Sequence, residues 1–104
     1  MCLFRRKKKQ PIQKSLSRLA DLAVQLEVLV YLASDDYKKT LNPIVDIVKY
    51  MPPSGDPQAI KIENKLYDWF DDLKIQFSGR NDAHKIDALI QKIEVALIER
   101  KAYR

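Results

Sequence analysis

From Pro11 onward, apolar residues return every three or four positions along most of the chain, which is the spacing that puts them on one face of a helix. The first such run spans about Ile12 to Ala33, with Leu16, Leu19, Ala23, Leu26 and Val30 as its expected buried line. Leu22, Val24, Val28, Leu29, Tyr31 and Leu32 lie off that line, so this helix is apolar nearly all round. A helix of that kind is covered on more than one side, by its own bundle or by a partner.

Ser34, Asp35 and Asp36 carry short oxygen-bearing side chains suited to capping a new helix, and a turn is expected there. Tyr37, Leu41, Ile44, Val48 and Met51 then keep helical step. Pro43 removes one backbone donor and disfavours helical geometry at Asn42, so a kink or a fresh start is expected at that pair. A competing division runs one helix from Ile12 to Leu41, because Ala33, Tyr37 and Leu41 also stay in step.

Pro52, Pro53 and Gly55 end the second helix, and Asp56 followed by Pro57 forms a strong start signal for the third. Its expected buried face is Ala59, Ile62, Leu66, Trp69, Phe70, Leu73 and Phe77, with Asp68, Asp71, Asp72 and Lys74 toward water. Gly79 is expected to end it in the left-handed region. Asn81 or Asp82 then caps a fourth helix with the stripe Ile86, Leu89, Ile90, Ile93, Ala96 and Leu97.

Four runs joined by short connections predict an all-α fold, an up-down-up-down four-helix bundle whose second helix is short or kinked. Three long helices plus a short one is the alternative. At 104 residues the chain fits one domain, residues 11–104, preceded by a basic arm over residues 1–10. Only two glycines occur, which agrees with long helices and few tight turns.

Charge changes this picture at one place. Lys and Arg number 19 against 14 Asp and Glu, and Arg5, Arg6, Lys7, Lys8 and Lys9 carry the whole excess, leaving the remainder formally neutral. In an up-down bundle the arm, Lys49, Lys61, Lys65, Arg100, Lys101 and Arg104 are expected to gather at one pole, and Asp35, Asp36, Asp72 and Asp82 toward the other. Next to Leu3 and Phe4, the five clustered cations suit peripheral attachment to an anionic membrane, at about 1 kcal/mol per cation. The same cations would also neutralise nucleic-acid phosphates, the less favoured reading because no helix presents a basic face.

Candidate chemistry is sparse. The one cysteine, Cys2, allows no intrachain disulfide, and a cytoplasmic setting is the expectation, with the inner face of a membrane as a peripheral site. The richest apolar window, Leu22 to Ala33, is too short for a spanning segment and contains Gln25 and Glu27. Glu27, Glu63, Glu94, Glu99 and the lone His84 do not form the paired Glu-x-x-His set of a di-metal bundle. Asp68, Asp71 and Asp72, joined by Asp35 or Asp36, would be needed for a small metal-dependent hydrolase, the third-ranked reading. No glycine-rich phosphate loop, zinc spacing or nucleophile elbow occurs, and no cofactor is implied.

The leading expectation is therefore a non-enzymatic helical interaction module. Its partner surface is placed at Val24, Val28 and Tyr31 on the first helix, where a second copy or a partner helix would dock. A nucleic-acid-binding accessory protein using the same arm is the alternative.

Overall fold

The computed structural model describes residues 11–103, and the basic segment at residues 5–9 lies outside them. Four α-helices follow in order: α1 (Pro11–Leu32), α2 (Asp35–Lys49), α3 (Pro57–Ile75) and α4 (Ala83–Lys101). A π-helical turn, Gln76–Arg80, extends α3, and no strand occurs among the described residues. The protein is an all-α bundle with α2 its shortest member.

Local chemistry explains most of the helix ends. Pro11 occupies the first helical position of α1, where its missing N–H costs nothing. The turn falls at Ala33 and Ser34 as expected, although Ser34 leads into α2 through extended backbone and its hydroxyl makes no capping bond. Asp35 and Asp36 instead lie in the first turn of α2, next to the positive end of the helix dipole. Asp56 caps α3 in full, its side chain accepting from Gln58 N at 2.8 Å, with Pro57 next in the chain.

Of the kink or fresh start expected at Asn42 and Pro43, the fresh start is excluded, and the left-handed role expected of Gly79 is corrected. Helix α2 runs through Pro43 without a fresh start at Asn42. Pro43 and Lys39, whose carbonyl loses its usual donor, are both exposed, so that carbonyl is left on the wet side of the helix. Gly79 is not left-handed; Asn81 takes that role at φ 51° and ψ 41° and donates its N–H to Gln76 O at 2.8 Å. The wider π turn carries the chain two residues past Gly79 before it reverses, and Asn is the side chain that best tolerates the position after Gly.

The buried line of α1 also differs from the expected one. Ser15, Leu19, Leu22, Leu26, Leu29 and Ala33 are buried, whereas Leu16 is 55% exposed and Ala23 and Val30 are only half-buried. Two three-four lines share Leu19 and Leu26. The chain buries the one that adds Leu22 and Leu29, which hides more apolar area than Ala23 and Val30 would. On α3 the buried aromatic is Phe70, at 1% exposed, while its neighbour Trp69 packs at the rim of the core.

Helix α1 packs against both α2 and α3, α3 packs against α4, and a lighter contact joins α2 to α4. Around the bundle the order is therefore α1, α2, α4, α3. Direction alternates along the chain: Ser15 near the start of α1 and Glu63 near the start of α3 meet Arg100 at the end of α4 and Pro52 just past α2. At the other pole Tyr37, from the first turn of α2, reaches Asp87 at the start of α4 and stacks at a tilt on Phe77 past the end of α3. Consecutive α2 and α3 are antiparallel but lie diagonally across the bundle and do not make a major contact. One hydrophobic core, including Leu26, Leu41, Ile44, Leu66, Phe70, Ile90 and Ile93, runs between these poles.

Candidate functional site

Helix α1 turns two opposite apolar faces outward and inward. Behind the leucines of the core, Val24 is 58%, Val28 41% and Tyr31 82% exposed. These are the residues expected to form a partner surface, and the bundle leaves all three uncovered. Val24 and Val28 also enter a shallow cleft of about 140 Å³ between α1 and α3, lined further by Gln25, Leu29, Phe70, Asp71 and Lys74. The cleft thus has an apolar floor and, on its α3 rim, one acid and one base.

The densest polar geometry lies at the pole where α1 begins and α4 ends. Glu63 is fully buried and uses both oxygens: Oε2 accepts from Ser15 Oγ at 2.6 Å and from Arg100 Nε at 2.9 Å, and Oε1 accepts from Arg18 Nε at 2.8 Å. Arg100, equally buried, donates through Nη2 to Pro52 O at 2.8 Å and through Nη1 to Tyr103 O at 2.6 Å. Ser15 Oγ in turn accepts from Ser54 N at 3.1 Å, which pins the α2–α3 connection. Among the described residues, Arg18 Nη2 is buried without a hydrogen-bond partner. Every helix or its flanking segment contributes to this cluster.

Arg100, expected at this pole, lies there, but it is enclosed and ion-paired to Glu63. At the opposite pole Asp35, Asp36 and Asp82 stand as expected, with Lys38, Lys39, Arg80 and Lys85 beside them in sequence. A readable signal for the cluster did exist. Ser15 stands four residues before Leu19, Glu63 three before Leu66 and Arg100 three after Leu97, each where an apolar stripe would otherwise continue.

A serine bonded to a carboxylate invites a catalytic reading, which the geometry does not support. Ser15 is wholly enclosed, so no substrate reaches its hydroxyl, and its donor and acceptor capacity is committed to Glu63, Ser54 and Arg100. The cluster is built to hold helices together. Elsewhere Asp68, Asp71 and Asp72 are exposed on α3 and His84 is exposed on α4. Among the described residues, no three His, Cys, Asp or Glu side chains stand close enough to share a metal ion.

Two tyrosines are tuned by their surroundings. Tyr67 donates to Asp21 Oδ2 at 2.9 Å; burial first, then the bond to Asp21 and its negative charge, push the phenol up to about 12. Tyr37 is raised from its ordinary value by burial and by Asp87, with a smaller effect from Asp36. Both act as hydrogen-bond donors between helices rather than as acids.

No described helix is long and apolar enough to cross a membrane. No family model, curated protein or solved structure matches the chain.

Proposed function

We propose that this protein is a non-enzymatic helical interaction module that docks a second copy or a partner helix on the outer face of α1. The observation that carries the reading is the uncovered strip Val24, Val28 and Tyr31, which stands directly behind a helix face already buried in the core. A side chain such as Tyr31, 82% exposed beside two exposed valines, gains most when a partner removes the strip from water. Two-fold pairing is the simplest closed arrangement of such a surface.

Light scattering across a dilution series from high to low micromolar concentration tests this. A mass that falls on dilution, and a Val28→Glu chain that is monomeric at every concentration, is the expected result. A strict monomer that also binds no amphipathic helix would remove the reading.

The basic segment at residues 5–9 supplies the second part of the proposal, peripheral attachment to an anionic membrane surface. Support comes from the sequence: five successive cations beside Leu3 and Phe4 precede a remainder with no net charge. Binding to vesicles with and without anionic lipid, and to duplex DNA, over a salt series distinguishes the lipid reading from the nucleic-acid one. Retention on anionic vesicles that is lost when the five cations become Gln is expected.

A further inference from the structure

Toward the pole opposite the Glu63 cluster, the end of α3, the π turn and the first half of α4 border a second, open cleft of about 440 Å³. Its polar lining is lopsided: Arg80 from the π turn and Lys85 and Lys92 from α4 meet a single carboxylate, Asp72. None of those three cations forms an ion pair among the described residues. Its apolar lining is Ile75, Ala88 and Leu89, and Ile75 is 55% exposed.

The fold holds this arrangement in place. Gln76 is buried and its Oε1 accepts from Asp82 N at 3.1 Å, while Asn81 N–H returns to Gln76 O, so the turn carrying Arg80 is tied at both ends. Asp82 already caps α4 through Lys85 N, so the cations rather than free helix amides supply the attraction. Lys85 and Lys92 are seven residues apart on one helix, two turns along the same face, with Ala88 and Leu89 between them.

We propose that this cleft binds a phosphate monoester carried on a small apolar body. Arg80 offers a planar fork of donors matched to phosphate oxygens, and the two lysines add point charges on either side of the apolar floor. The volume suits a small ligand rather than a polymer, since ligand pockets span roughly 300–1,000 Å³. The reading is independent of the α1 strip and of residues 5–9. The phosphate has two sources with the same chemistry, a soluble ester or the headgroup of a phosphomonoester lipid.

Residue-resolved NMR on the full chain separates the outcomes, because it distinguishes this cleft from the basic segment. Phenyl phosphate is titrated against inorganic phosphate and benzyl alcohol, with phosphatidate vesicles as a parallel arm. Saturable shifts at Arg80, Lys85, Ala88 and Lys92 are expected with phenyl phosphate, about tenfold tighter than with inorganic phosphate, which lacks the apolar body. Benzyl alcohol, lacking the charge, should leave those amides unmoved.

Replacing Arg80, Lys85 and Lys92 together by Gln should weaken binding by at least about tenfold. The same number of exposed charges removed at Lys14, Lys61 and Lys101 should leave it unchanged. Response to the vesicles alone, lost in the cleft variant, assigns the lipid source. No saturable shift with either probe, or equal loss in the two triple variants, overturns the proposal.

Discussion

Glu63 gives one buried carboxylate to two guanidinium groups, and that imbalance sets what its loss does. Glu63→Ala would leave Arg100 enclosed without its counter-charge, a situation that costs about 3–5 kcal/mol. Urea denaturation should record that loss, and a Glu63→Leu, Arg100→Met chain should recover much of it because no unpaired charge remains at Arg100. Tyr67 makes a separate prediction in alkali. Its folded pKa of about 12 exceeds the unfolded value of about 10, so its contribution to stability is complete below about pH 10 and is lost as pH rises through 12. Spectrophotometric phenolate titration of Tyr67→Phe should lack the step near pH 12, and Asp21→Asn should move that step down. At this scale the sequence was informative and easy to misread. A polar residue interrupting an apolar stripe marks either the edge of the core or a partner inside it, and only the meeting of Ser15, Glu63 and Arg100 from three helices decides which.

Helix boundaries followed strong local chemistry and strayed where that chemistry was weak. Asp56-Pro57 and Pro52-Pro53 have one reading each, and α3 begins and α2 ends where they require. Gly79 permitted the left-handed region without requiring it, and the π turn placed Asn81 there instead. That difference can be measured. Gly79 has no positive φ, and a Cβ added there meets nothing within 4 Å, so Gly79→Ala should raise stability by about 0.4–1 kcal/mol by narrowing the unfolded ensemble. Asn81→Ala should lower it by about 1–2 kcal/mol, because Ala lacks the local polar contacts that ease a positive φ. Thermal melts of the two variants should therefore shift in opposite directions. On α1, periodicity pointed to the line through Leu16, Ala23 and Val30, and the chain buries the one through Leu22 and Leu29, which hides more apolar area.

For the whole molecule, alternating direction was legible from short connections, while the order of helices around the bundle was not. Nothing local in the Tyr50–Asp56 segment says that it must pass α1 rather than fold α3 directly onto α2; the distribution of leucines on α1 toward two neighbours decides that. The resulting arrangement brings Ser15 and Arg100, 85 positions apart, into one cluster with Glu63. Opening the first turns of α1 then strips Arg100 of a neighbour, and opening the last turn of α4 strips Ser15 of one. Fraying at one is coupled to fraying at the other. Amide hydrogen exchange should accordingly report a single opening free energy for the first turns of α1 and the last turn of α4, with both losing protection together in Glu63→Ala, while the amides around Tyr37 and Asp87 keep theirs.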